Sequence, residues 1–190
     1  MQMTEIAKLN SGTPQFRIKE SLNSDAPMYF YFGQPEMEDN LTDIETHDFN
    51  RKQIRTYDIV CTLQSGDLIF SLISGKSAIV RDRHNGYLYT QNYVKITPTP
   101  TIDKRYLVYM LNESADIKHQ LHTGQQGSAT LKFTIMQLSN LMFPIPPSIE
   151  KQRVIGEVYY NQLKLAALKK RVAVSETKLI IEKLKEANKL

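Results

Sequence analysis

From Ser148 to the C-terminus the chain contains no proline and a single glycine, Gly156, and is dominated by Ala, Leu, Lys and Glu. That composition predicts one continuous helix. Ser148 stands where an N-cap is expected, with Lys151 rather than Glu or Gln at N3, so the capping box is incomplete. About 40 helical residues span roughly 60 Å at ~1.5 Å per residue, more than a domain of this size can cover. Val154, Val158, Leu165, Leu168, Val172 and Leu179 fall on a stripe of three-and-four spacing, with Asn161 and Ser175 as polar members. A helix of this length needs a second helix or a partner against that stripe.

Residues 1–147 read differently. MYFYFG (Met28 to Gly33), DIVCTL (Asp58 to Leu63), DLIFSLI (Asp67 to Ile73), SAIVRD (Ser77 to Asp82) and YLYTQNYVKI (Tyr87 to Ile96) are short aromatic and β-branched runs, divided by turn signals. HNG (His84 to Gly86) reads as a tight turn, and TPTPT ends the last run because proline cannot donate to a ladder. Glu36 to Asp48, without Lys or Arg, reads as a solvated loop or edge. Lys104 to Leu121 has helical spacing, with Leu107, Met110, Leu111 and Ile117 on one face. No linker divides residues 1–145. The expected class is α+β: a β-rich domain over 1–147, then a long helix over 148–190.

Charge follows the same division. Residues 151–190 hold ten Lys or Arg and four Glu, whereas residues 1–150 hold fourteen basic and sixteen acidic residues. The overall net charge of +4 is therefore weak evidence of a nucleic-acid-binding domain. The one cysteine, Cys61, excludes an internal disulfide and is expected as a buried residue of an apolar strand. There is no apolar run of membrane-spanning length and no signal-peptide core at the N-terminus, so a cytoplasmic protein with no membrane association is expected.

Catalytic constellations are missing from the sequence: no phosphate loop, no GxGxxG turn, no HExxH, no methyltransferase [DN]PP[YFW] motif and no PD…[DE]xK nuclease signature. His119 and His122, three apart, lack a clear carboxylate or Cys partner for a metal and are read as surface or DNA-facing residues. No catalytic residue, metal or cofactor is assigned. Polar residues in loops are the remaining candidates: Lys76 and Ser77 after Gly75, Arg81, Arg83 and Asn85 around the HNG turn, Gln91 and Asn92 within an aromatic run, and Gln125, Gln126 and Ser128 in the TGQQGSAT loop. Arg and Lys suit guanine edges or phosphates and Gln and Asn suit adenine edges; the same residues also serve as ordinary loop solvation.

Several segments, in order, resemble the DNA-specificity subunits of type I restriction-modification systems. KLNSGTP (Lys8 to Pro14) is similar to the entry of their target-recognition domains, GDLIFSLISGKSAIV (Gly66 to Val80) to a strand pair, and YTQNYVKITP with KRYLVYML (Tyr89 to Pro98, Lys104 to Leu111) to the strand and helix that follow. TGQQGSATLKFTIMQLSNLMFPIPP (Thr123 to Pro147) and IEKQRVI (Ile149 to Ile155) resemble the domain's end and the start of its helix. The family often has Glu directly before the Gln, where this chain has Lys151 ahead of Gln152. A full-length subunit has two recognition domains and two helices; this chain looks like a half-subunit or a fragment.

The resemblance implies a non-catalytic subunit that recognises double-stranded DNA, with a methyltransferase subunit and a restriction/translocase subunit as partners. It also implies a homodimer through Val154, Val158, Leu165, Leu168, Val172 and Leu179. An interaction module whose helix binds protein and whose domain has lost DNA binding is the alternative. An enzyme of unrecognised type would need a convergent polar site that the sequence does not display.

Overall fold

The computed structural model describes residues 1–45, 51–123 and 132–188. Its centre is an antiparallel sheet of four strands in the order β1 (Ala7–Ser11), β6 (Tyr93–Pro98), β4 (Leu68–Ser71), β5 (Ser77–Ile79). In β4, Leu68, Ile69, Phe70 and Ser71 are all buried. A strand covered on both faces has no solvent side to alternate with, which is why it reads as an unbroken apolar run. Its neighbours are set in register by Leu68↔Ile96 and Phe70↔Val94 on one side and Ile69↔Ala78 on the other. Two further strands, β2 (Met28–Phe30) and β3 (Gln53–Arg55), pair with each other and form a small lobe, joined to the rest of the domain where the end of β2 meets Leu88.

Helices cover the sheet. A short turn of helix, α1 (Met3–Ile6), precedes β1, and α5 (Ile135–Ser139) packs against α1 and β1. Helix α3 (Lys104–Glu113) starts where the Asp103 carboxylate accepts the N–H groups of Arg105 and Tyr106 at 2.9 and 3.0 Å. The single helix expected over 104–121 is broken at Ser114, which takes an extended conformation; α4 (Ala115–Thr123) resumes after it. Leu107, Met110, Leu111 and Ile117 are buried as expected.

Three other expectations need correction. The described part of the acidic stretch is not a solvated loop. Gln34–Thr42 forms helix α2, with the Glu36 carboxylate accepting the Gly33 N–H at 2.8 Å and Asp43 closing it in the left-handed region at φ 56°. Asp39 and Asn40 are buried against the turn after β5, and Glu36 is buried where it folds back on Gly33. DIVCTL is irregular apart from one bridge, Thr62↔Leu88, and Cys61 there is half-buried rather than a core strand residue. YLYTQNYVKI is cut at Gln91 and Asn92 by a turn that lets β6 start at Tyr93.

The last element, α6 (Ile149–Ala187), is a helix of 39 residues. The Ser148 hydroxyl accepts the Lys151 N–H at its start, at 3.5 Å. Gln152, Ile155, Gly156, Tyr159, Tyr160 and Leu163 turn one face onto α3, α2 and β5. Every described residue from Leu168 onward is exposed, so the second half of the helix projects from the domain. The fold is α+β, a β-rich domain followed by one long C-terminal helix. Among the described residues no helix is long and apolar enough to cross a membrane.

The α3–α6 crossing depends on Gly156. A Cβ there would lie 2.5 Å from Arg105 Cβ and 2.7 Å from the Tyr106 nitrogen, against a helix backbone that cannot yield. Gly156→Ala is expected to destabilise the fold by about 1–3 kcal/mol, the range of core overpacking, despite alanine's higher helix propensity. Urea unfolding midpoints of the two proteins check this.

Candidate nucleic-acid interface

The turn between β4 and β5 is made possible by Gly75, at φ 68°. Lys76 follows it, and its ammonium lies 2.9 Å from Glu38 Oε1 on α2, with both side chains half exposed. Ser77 is not available to a ligand: it is fully buried, its N–H and hydroxyl both donate to Asn112 Oδ1 at 2.7 and 3.0 Å, and its carbonyl accepts from Asn112 Nδ2. The candidate read from its place after a glycine turn is a core contact between β5 and α3.

Arg81 precedes a 3₁₀ turn, Asp82–His84, and Arg83 lies within it. They converge on Asp43 at the end of α2, at 3.8 and 3.5 Å, and Lys164 from α6 joins the same carboxylate at 2.9 Å. The Lys164 hydrogen bond, and then the two guanidinium groups, hold the Asp43 carboxyl below the usual range against a partial desolvation that acts the other way. Arg83 also donates to the Asp39 carbonyl at 2.8 Å, and the Arg81 guanidinium lies over the Tyr160 ring at 5.6 Å. These two arginines join α2, the turn and α6.

Asn85 is exposed and accepts the Ser65 N–H at 3.2 Å. Gln91 is exposed at the turn before β6, its N–H bound to the Thr13 carbonyl, and Asn92 Oδ1 accepts from Lys132 Nζ at 3.3 Å. Gln125, Gln126 and Ser128 lie outside the described residues. The structure therefore places Lys76, Arg81 and Arg83 around α2, each beside a carboxylate, and Gln91 and Asn92 at a separate turn. His119 and His122 are exposed, and His122 meets Phe133 edge-on at 5.6 Å. Among the described residues no group of three or more His, Cys, Asp or Glu is placed to hold a metal ion.

Sequence reasoning read the run that contains β2 but passed over the exposed residues around it and β3. Phe16, Leu22, Tyr57 and Ile59 are strongly exposed there, in stretches that also carry Arg17, Lys19 and Lys52. Single apolar residues without a period gave no signal; hydrogen bonds from Lys19 to Asp58 and from Asn23 to Tyr57 bring together the two stretches that carry them, and all four are uncovered.

The six stripe residues Val154, Val158, Leu165, Leu168, Val172 and Leu179 are between 42% and 61% exposed. At ~100° per residue they lie roughly opposite the face that packs on the domain. No fold in the domain reaches them.

The chain belongs to the type I restriction modification DNA specificity domain family, whose model matches residues 1–172. No curated protein sequence matches the chain significantly. Among solved structures, a chain from work on the structural basis of complex assembly and conformational transition of the type I R-M system is 17% identical at a TM-score of 0.60, covering 98% of this chain and 43% of that one. The HsdS subunit from Thermoanaerobacter tengcongensis is 18% identical at a TM-score of 0.49, covering 90% and 39%. A type I restriction-modification system S subunit from M. genitalium is 12% identical at 0.49, covering 95% and 41%. This chain thus spans less than half the length of those it is similar to.

The turn also contains a titration with a defined sign. His84 is fully buried beside Phe32 and Tyr87, with Nδ1 3.1 Å from Asn40 Oδ1 and Nε2 without a hydrogen-bond partner. Burial, and then the Arg83 charge, push its pKa down from 6.5 to about 4. The unfolded chain binds this proton first, so His84's contribution to stability is full above pH 6.5 and is lost as pH falls toward about 4. Asp43, with its pKa below 3.8, acts only at lower pH. Denaturant unfolding across that window should show stability falling with pH, and His84→Gln should flatten the dependence; an unchanged slope would exclude His84 as its source.

Proposed function

We propose that this chain is the sequence-recognition subunit, in half-subunit form, of a type I restriction-modification enzyme. It binds double-stranded DNA through its β-rich domain, and α6 joins a second copy and a methyltransferase subunit, to which a restriction/translocase subunit is added. The chain itself does no chemistry and binds no S-adenosylmethionine. Its place of action is the cytoplasm. The observation that carries this reading is the family match over residues 1–172 together with a helix whose apolar stripe the domain leaves bare.

The stripe suits an isologous antiparallel pair. A two-fold axis between Leu165 and Leu168 sets those residues opposite each other, Val154 opposite Leu179, Val158 opposite Ser175 and Asn161 opposite Val172. The two domains then stand at opposite ends, each free to meet half of a split site. Val174, Ile180, Ile181 and Leu184, also exposed, lie on other sides of the projecting half and leave apolar surface for the methyltransferase subunit.

The pairing of Lys76, Arg81 and Arg83 with carboxylates favours a second reading, a protein-interaction module without DNA binding. Reconstitution with the cognate methyltransferase subunit separates the two. Sequence-specific DNA binding and methylation by the complex support recognition; assembly without DNA binding supports the module.

Two outcomes are expected. Light scattering at tens of micromolar should give a dimer, and the double change Leu165→Glu, Leu168→Glu should give a monomer, since charges in a desolvated seam cost several kcal/mol. A monomeric wild-type chain would exclude the homodimer. The highly purified chain alone, supplied with S-adenosylmethionine, should transfer no methyl group to DNA, and methylation by it would exclude a purely recognising role.

A further inference from the structure

The lobe of β2 and β3 is held together by bonds between residues 14–31 and 51–60. Ser21 N–H donates to the Arg55 carbonyl at 2.8 Å and Thr56 N–H to the Pro27 carbonyl at 3.0 Å. The Lys19 N–H donates to Asp58 Oδ2 at 2.7 Å, and Asn23 Nδ2 to the Tyr57 hydroxyl at 3.1 Å. These contacts bring Leu22 close to Tyr57, and Lys19 close to Ile59. The lobe buries neither aliphatic residue: Leu22 is 102% and Ile59 99% exposed, with Phe16 at 77% and Tyr57 at 61%. Isolated surface apolar residues are ordinary, but several brought together on one small lobe mark a contact surface.

Charge identifies the partner. Residues 14–31 and 51–60 hold five basic and three acidic residues, while the rest of residues 1–150 holds nine basic and thirteen acidic. Of the three acids, Asp58 already accepts a backbone N–H. Arg17, Lys19 and Lys52 have no ion-pair partner among the described residues; Arg17 lies over the Phe16 ring at 5.6 Å and Lys52 over the Tyr31 ring at 4.8 Å. Lys76, Arg81 and Arg83, by contrast, are each matched by Glu38 or Asp43. The lobe is the basic part of an otherwise acidic domain, and its cations alternate with apolar side chains. Helix α6 packs chiefly on α3 and α2 rather than on β2 and β3.

We propose that this lobe is the part of the chain that contacts double-stranded DNA. Arg17, Lys19 and Lys52 hold phosphates. Phe16, Leu22, Tyr57 and Ile59 pack against the apolar parts of a groove, sugar carbons and thymine methyl groups. The placement rests on the DNA-recognition reading above.

The test uses the full chain reconstituted with its methyltransferase subunit, and DNA carrying the site that the complex methylates. The combined change Arg17→Ala, Lys19→Ala, Lys52→Ala should weaken binding to every sequence by about tenfold or more and lower the slope of log affinity against log salt by roughly 2–3. Leu22→Ser with Ile59→Ser should instead reduce discrimination between the site and its single-base variants by about tenfold, with a smaller loss on unrelated DNA. Both sets alter exposed side chains, and unchanged melting temperature and assembly confirm that the fold is intact. Unchanged affinity, salt slope and discrimination in both sets would overturn the placement while leaving DNA recognition standing. Loss of methyltransferase assembly with DNA affinity retained would overturn it in favour of a protein-binding lobe. A wild-type complex that binds no DNA would overturn the recognition reading itself, and the placement with it.

Discussion

Gln152 holds the junction on which both halves of the molecule depend. Its side chain is almost wholly buried one turn into α6, where a bare amide would cost several kcal/mol. Every polar atom of it is used: Oε1 accepts the Asp103 N–H at 2.9 Å, and Nε2 donates to the Thr101 and Pro147 carbonyls at 3.1 and 2.9 Å. One side chain thus binds the loop leaving β6, the N-cap of α3 and the double-proline segment entering α6. Gly156, one turn further on, lets α3 approach to backbone contact, and the Tyr160 hydroxyl accepts the Ile79 N–H at 3.1 Å. The long helix leaves the domain at a fixed angle because three successive turns of it are fastened.

That fastening is also where the electrostatics are spent. Asp43, left-handed at the end of α2, gathers Arg81, Arg83 and Lys164, and so adds the acidic helix and the turn after β5 to the same junction. The pairs are partly exposed and individually contribute little. Their effect is geometric, since one carboxylate meeting three cations from two elements favours one arrangement of them. The arginines that looked available for a ligand are used to position α6.

How much of this was legible follows from what each signal needs. The helix from Ile149, its cap at Ser148 and its outward stripe are local and periodic, and could be read directly. So could β4, whose unbroken apolar run has one physical explanation, and the Asp103 cap of α3 was hidden only in its detail. The inward turn of α2 could not be read. Its polar residues Asn40 and Glu36 are buried because they find partners in sequence-distant or capping backbone groups, Arg81 N–H and Gly33 N–H, and composition alone says solvent. Ser77 fails for the same reason: a serine after a glycine turn reads as a loop residue until Asn112, 35 positions away, is brought to it. Cys61 and its neighbours satisfy their backbone through single bridges and the Thr13 hydroxyl rather than a ladder, which no period can announce.

The same division explains why function in this chain is spread over surfaces and not gathered in a cleft. Glu38 and Asp43 take up Lys76, Arg81, Arg83 and Lys164, and the junction accounts for the first half of α6. What remains unspent is the outer face and far end of the helix, with its row of exposed Val, Leu and Ile, and the lobe of β2 and β3. The first is apolar and periodic over many turns, which suits another helix. The second is small and basic, with apolar residues between the charges, which suits a polyanion with grooves. A rigid junction between two unlike surfaces means that whatever α6 binds is held at a set distance and angle from whatever the lobe binds. On the recognition reading proposed above, that fixed relation is the contribution the fold itself makes.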